Sequence, residues 1–317
     1  MSHVEHLKEL HGLPAFDFAR FAGKPELPEA GAAAWWLAVE PYGDSPQDFG
    51  DLWDRFLDSV DPAGVRAIIV GQWGEPYDND SSGIVRRLVD ARERLTSLRA
   101  VFIGDLEMEE AEISWIEQSD VTPVLEAYPL LEEFGIRGGT GLRFPAVRHE
   151  HLRTLRFEAG GLPGEVARGV AASELPALEH LDLWLGVEEY GGDTGVADLA
   201  PILAGGRFPA LRHLGLRNSE IQDEIATAVA GAPVVAQLTS LDLSLGVLTD
   251  EGATALLGGQ PLTHLTRLDL HHNFLSDPVV ERIRTALEPS GVELDLSERG
   301  EVWEDDGVVH RFTAVAE

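Results

Sequence analysis

The sequence predicts an α/β solenoid, a curved stack of strand–helix units with one parallel β-sheet on the concave side and helices on the convex side. Three observations carry that prediction. The frame Leu-x-x-Leu-x-Leu returns along most of the chain, and LTRLDLHHNFL from Leu265 superposes on LTSLDLSLGVL from Leu238 at a spacing of 27 residues. Between copies the apolar residues fall at helical spacing, as with Ile221, Ile225, Ala228 and Val229 in IQDEIATAVAG. Within a copy, the fourth and sixth positions lie on one side of a strand, so the leucines point inward and the residues between them face out. A single strand–helix unit cannot bury its apolar face alone, so the units must stack.

Residues 1–30 are expected to cap the first unit, with LHGLPAFDFARF supplying a strand or loop over it. Residues 31–297 are expected to form the solenoid. A degraded strand copy surrounds Leu37 and Val39, after which Ser45 and Pro46 open a helix through QDFGDLWDRFLDSV. VRAIIVGQ starts at Val65, Ser81 or Ser82 opens a helix through IVRRLVDARERL, and LRAVFIGDLEM starts at Leu98. Residues 107–130 predict a distorted unit, because Pro123 and Pro129 interrupt any single long helix. Strand copies follow at Leu131, Leu152, Leu178, Leu211, Leu238 and Leu265, the last followed by a helix with Asp277 as N-cap and Pro278 at its first position. VELDLSE around Leu294 and Leu296 closes the series. In residues 298–317, Asp306-Gly307 between two alternating runs predicts a hairpin that covers the last strand.

The pattern Leu-x-x-Leu-x-Leu-x-x-Asn-x-Leu is complete at Leu265, Leu268, Leu270, Asn273 and Leu275, and on these residues the chain resembles the leucine-rich repeat family. The spacings of 26 and 27 residues look like the ribonuclease-inhibitor-like subclass, which implies a horseshoe with one α-helix per repeat. The asparagine position holds Ser219, Gly246, Gly186 and Gly160 in other copies, so a regular asparagine ladder is not expected. The whole chain also resembles a bacterial family of such proteins, a resemblance that implies no activity.

Composition narrows the function. A net charge of −31 repels a phosphate backbone, and no Lys/Arg cluster offsets it, so nucleic acid is not an expected partner. The chain has no cysteine, which excludes disulfides, thiolate catalysis and cysteine-held metals. No apolar run approaches the ~20 residues of a membrane span and no signal-peptide pattern is present, so a cytoplasmic location without a membrane partner is expected. No cofactor is implied.

Motifs that look like chemistry mostly read as punctuation. In LTRLDLHHNFLSD, repeat register alone makes His271 an outward strand residue, His272 a strand end and Asn273 a turn residue that satisfies backbone groups. DNDSSG at Asp78–Gly83 starts like a calcium loop, but Val89 stands where a bidentate glutamate belongs, and a helix cap explains it better. His149 and His151 flank Glu150 in HEH, and two imidazoles without a further ligand in the motif disfavour a shared metal. His3 and His6 read as tail residues.

The outward surface of the strands carries the functional expectation. Aligning the repeats gives three rows: Thr154, His180, His213, Ser240 and Arg267; then Arg156, Asp182, Gly215, Asp242 and Asp269; then Glu158, Trp184, Arg217, Ser244 and His271. Trp184 and Arg217 are of the types enriched at binding hot spots, and Trp184, which the core does not need, either anchors a partner or covers the inserted loop VEEYGGDT around Tyr190. These residues predict a non-catalytic interaction module or accessory subunit, whose protein partner presents a basic surface to Trp184, Arg217, His180, His213, Asp182, Arg156, Glu158, Asp242 and His271. The alternative is a small-molecule or metal-binding protein using His180 and His213 with Asp182; a hydrolase ranks third, since no hydrolase motif occurs.

Overall fold

The computed structural model describes residues 4–20, 27–40, 48–305 and 307–317. Twelve strands pair in chain order into one sheet: β1 (Glu9–Leu10), β2 (Leu13–Asp17), β3 (Ala34–Leu37), β4 (Ala67–Val70), β5 (Ala100–Ile103), β6 (Glu133–Arg137), β7 (Thr154–Glu158), β8 (His180–Gly186), β9 (His213–Ser219), β10 (Ser240–Asp242), β11 (Arg267–Asp269) and β12 (Glu293–Asp295). Only the β1–β2 pair is antiparallel; every later pairing is parallel. Each strand from β4 to β11 starts two residues after the residue that opens its sequence frame, as Arg267 follows Leu265. The reason is local: the opening leucine turns inward to the core, and the chain becomes extended only once it joins the ladder.

Helices alternate with the strands and lie on one face of the sheet: α1 (Phe49–Ser59), α2 (Ser82–Asp90), α3 (Thr122–Ala127), α4 (Gly164–Ala172), α5 (Val196–Leu203), α6 (Gln222–Ala230), α7 (Asp250–Gly258) and α8 (Asp277–Leu287). Their inner residues, among them Leu88, Val166, Leu199, Ile225, Leu256 and Ile283, share one continuous core with the inward strand residues Leu155, Leu181, Leu214, Leu241 and Leu268. Each fully buried leucine contributes about 1.5–3 kcal/mol of transfer free energy. The solenoid-like order follows, since neighbouring units share one core. No helix among the described residues is long and apolar enough to cross a membrane.

Caps and ends differ from the sequence expectation in four places. Asp48 caps α1 by accepting the Asp51 N–H at 3.1 Å; Ser45 and Pro46 lie outside the described residues. Ser276, not Asp277, precedes α8, and Asp277 instead meets Arg299 at 2.6 Å. Pro123 sits in the first turn of α3, where its missing N–H has no helical partner to lose, so it starts that helix and does not interrupt it. The terminal hairpin, β13 (Trp303–Asp305) and β14 (Val308–His310), pairs only with itself and leaves β12 without it, and Asp306 in its turn lies outside the described residues.

The segment after that hairpin runs back along the carboxyl-terminal ends of the strands. Ala314 N–H donates to the Leu245 carbonyl at 2.8 Å, and Val315 N–H to Asn218 Oδ1 at 3.0 Å, while the Asn218 amide donates in return to the Val315 carbonyl. Asn218 is fully buried with φ of 53°, a left-handed conformation that asparagine tolerates better than most residues.

Candidate functional site

The ladder register assembles the outward rows. Across β7 to β12, Thr154, His180, His213, Ser240, Arg267 and Glu293 stand side by side, as do Arg156, Asp182, Gly215, Asp242, Asp269 and Asp295. Trp184 aligns with Arg217 in the third row. Residues up to 139 positions apart in sequence, Arg156 to Asp295, thus form one strip, because neighbouring strands lie about 4.8 Å apart.

Arg217 is the centre of this strip. Its guanidinium lies 3.3 Å from Asp182 and 3.2 Å from Asp242, donates to Ser244 Oγ at 3.0 Å, and stacks 5.2 Å from the centre of the Trp184 ring. Gly215 makes this possible: a Cβ there would fall 2.7 Å from Asp182 Oδ1, the space into which the carboxylate leans. Burial raises Asp242 to about 6, outweighing the pull of Arg217 and reinforced by Asp182 and Asp269. Burial also pushes Asp269 up, but hydrogen bonds from His271 and Arg267 prevail and hold it at about 2. Burial lowers both His180 and His213, whose rings stack at 5.6 Å, and each is further lowered by a neighbouring positive or ionisable group. His271 is raised by its 2.7 Å hydrogen bond to Asp269.

Trp184 departs from expectation. Only 5% of it is exposed and it belongs to the main core, so it is neither a free anchor nor dispensable for packing. The physical reason is crowding at this end of the strand, where Arg217 lies across the ring. Two atoms beside Arg217 have no hydrogen-bond partner despite burial: Trp184 Nε1, a donor, and Asp182 Oδ1, an acceptor. Glu158 is also buried and is committed to Arg137 at 2.8 Å and Arg156 at 3.5 Å.

The earlier strands carry a feature that the sequence reading missed. In the same first row, β3, β4 and β5 present Ala34, Ala67 and Ala100, and in the second row Trp36, Ile69 and Phe102. Leu7, Leu10 and Leu13 pack on these residues, so residues 4–13 form a strap over the helix-free face. Polar hooks hold it: the N–H groups of His6, Leu7 and His11 donate to Glu107, Asp105 and Glu133 at 3.1, 3.0 and 3.1 Å. Asp105, fully buried, also accepts from Trp36 Nε1 at 2.8 Å and lies 3.5 Å from Arg137. The facing carboxylates of Asp105 and Glu110 raise His6 to about 10, so His6 is a strap anchor and no tail residue; His3 lies outside the described residues. The available signal was three alanines at one frame position where later repeats carry polar residues.

The remaining motifs are structural. His149 bonds to the Tyr128 carbonyl and His151 to the Pro129 carbonyl, each at 3.0 Å. Asp80 accepts the Ser82 N–H at 2.9 Å at the start of α2. Asn273 bonds to the carbonyls of Leu243 and Leu270 at 3.0 and 3.1 Å and accepts the Leu248 N–H, as the turn reading requires. Asp269, His271 and Asp295 hold ligand-type atoms within 4.8 Å of one another, but Arg267 reaches Asp269 at 2.9 Å and Asp295 at 3.7 Å and already supplies positive charge there.

No protein-family model matches the chain, and no curated protein matches it. Among solved structures, a Bacteroides fragilis protein whose crystal structure was determined as a structural-genomics target is similar at a TM-score of 0.74 and 35% identity, over 79% of this chain and 70% of that one. At that identity and coverage, the chain belongs to the family of this Bacteroides fragilis protein.

Proposed function

We propose that the chain is a leucine-rich-repeat protein of the ribonuclease-inhibitor-like type, cytoplasmic, and that it acts without catalysis of its own. In this reading it is an interaction module or accessory subunit that holds a protein partner on the helix-free, concave face across β7 to β12. One observation supports it above all. The chain covers that face with its own strap over β3 to β5, and beyond Arg156 the face carries a row of carboxylates, Asp182, Asp242, Asp269 and Asp295, against the guanidinium groups of Arg217 and Arg267. Such an excess of negative charge steers a basic surface inward and raises its on-rate at low salt. Nucleic acid fits it poorly.

Because the chain has no cysteine, a photocrosslinker can be placed on single cysteines at Ser240 on this face and at Glu281 on α8. A discrete crosslinked protein from native lysate at Ser240 and none at Glu281 is the expected result. The reverse pattern moves the site to the helices. The purified protein is expected to turn over no ester, phosphate or peptide substrate. A metal-binding reading draws on the Asp269, His271 and Asp295 trio and on the His180–His213 pair. A chelator-reversible rise in melting temperature, lost in His271→Ala or His180→Ala, would favour it.

A further inference from the structure

We infer that the element read by this face is an extended polypeptide segment bearing cationic side chains, laid across β7 to β11 in continuation of the chain's own strap; this rests on the function proposed above. The strap is itself an example of the recognition. Residues up to Leu10 run over the helix-free face before the turn at His11 and Gly12, and carboxylates read this backbone: Glu107 takes the N–H of His6, Asp105 that of Leu7 and, at the turn, Glu133 that of His11. The strap's two half-buried imidazoles also face carboxylates: His6 lies 3.3 Å from both Asp105 and Glu110, and His11 lies 3.8 Å from Glu133. Carboxylates therefore do two tasks here, accepting main-chain N–H groups and pairing with a cation.

From β8 to β12 the face carries carboxylates of the same kind, here paired with the protein's own Arg217 and Arg267. Asp182, Asp242, Asp269 and Asp295 continue the row in which Trp36, Ile69 and Phe102 support the strap. A cleft of about 370 Å³, bordered by His6, Leu10, Glu133 and Arg156, lies where the covered stretch meets the open one. Independently of the charge, two adjacent outward residues of β8 hold unmet hydrogen-bonding groups of opposite kind. Asp182 Oδ1 lacks a donor, and Trp184 Nε1, on a side chain 95% removed from solvent, lacks an acceptor. A peptide group offers both an N–H and a C=O, which is what an extended segment presents at about every 3.3 Å. Arg217 lies over both residues, so it is the side chain that shifts on binding; a lysine or arginine of the segment then replaces it between Asp182 and Asp242. A buried donor or acceptor without a partner is costly, so a ligand that pairs both gains by it.

The test uses the full chain and four probes followed by fluorescence anisotropy or its equivalent. These are a labelled peptide alternating lysine and serine, its glutamate–serine counterpart, a compact lysine-capped dendrimer of equal charge, and a small folded basic protein. The lysine peptide is expected to bind at low salt and the glutamate peptide not. Asp182→Asn with Asp269→Asn should weaken the lysine peptide at least about tenfold, while Glu251→Gln with Glu281→Gln on the helices changes it less than about twofold. Trp184→Phe, which keeps an aromatic face under Arg217 but removes Nε1 and the fused ring, should cost the lysine peptide about fivefold and leave the dendrimer unaffected. Equal losses from the two double variants, or equal binding of peptide and dendrimer, would overturn the inference as diffuse charge. Binding of the folded basic protein to the strip with no binding of the peptide would also overturn it, while leaving the interaction-module reading in place.

Discussion

Phe102 on β5 and Asp182 on β8 occupy the same outward row, three strands apart, yet one supports an apolar lid and the other an ion network. Even the glycines beside them match. A Cβ on Gly135 would fall 2.3 Å from the Phe102 ring, and one on Gly215 would fall 2.7 Å from the Asp182 carboxylate, so each glycine gives its neighbour room to lean across. The comparison teaches that the inward leucines set the backbone frame and leave the outward row free. In the first half that freedom is used to hold the chain's own terminus, and in the second half the row stays charged.

The largest expected effects come from breaking the covered half. Phe102→Ala removes a fully buried ring and should cost about 3–5 kcal/mol. Asp105→Ala should cost less, about 1–3 kcal/mol, since it leaves Trp36 Nε1 and the Leu7 N–H without their acceptor while Arg137 keeps Glu158. Urea unfolding of both variants checks this; losses under about 1 kcal/mol would mean that the strap contributes little to folding.

The matched glycines give a sharper contrast. Gly135→Ala forces a Cβ against a rigid ring and should cost about 1–3 kcal/mol. Gly215→Ala meets only the end of a carboxylate that can swing away, so it should cost less in stability and instead loosen the pairing of Asp182 with Arg217. Equal melting temperatures for the two variants would show that the two halves do not differ in rigidity at this row.

A smaller effect is expected at Asp242. Its folded value of about 6 lies above the ordinary 3.8, so its contribution is fully present below pH 3.8 and is lost as pH rises through 6. Asp242→Asn should therefore stabilise the protein at pH 7.5 relative to pH 4.5, by on the order of 1 kcal/mol. A variant less stable than wild type at both pH values would mean that the Arg217 pairing outweighs the burial.

The smallest effect concerns the strap anchor. His6 is raised from 6.5 to about 10, so its hold on the strap is intact below pH 6.5 and lost as pH rises through 10. NMR titration of the His6 ring should show this midpoint, and Asp105→Asn should move it down towards 6.5.

Legibility followed the same division. The rows built from repeat register, His180 beside His213 and Asp182 beside Gly215, stand where the frame placed them, because strand pairing in a stack of like units leaves one register. Asn273 likewise makes the turn contacts that its position in the pattern required. Trp184 stood between anchor and cover because a row assignment gives direction only; whether an outward side chain is exposed depends on what lies across it, here Arg217. The N-terminal segment was expected to cover the first unit, and β2 pairs with β3, but its reach across β3 to β5 and the fold-back of Ala314 and Val315 onto Leu245 and Asn218 were invisible for a related reason. Neither segment carries the repeat, and both bind partners about a hundred residues away.

By itself the sequence determined the order of strands and helices, the inward leucines and the composition of each outward row, because these depend on period and on neighbours one repeat away. Only the tertiary structure decided which part of that outward face is covered and which is charged and open, and which buried groups are left unpaired. Those outcomes depend on where two non-repeating ends dock, and docking is set by long-range contacts that no local period records.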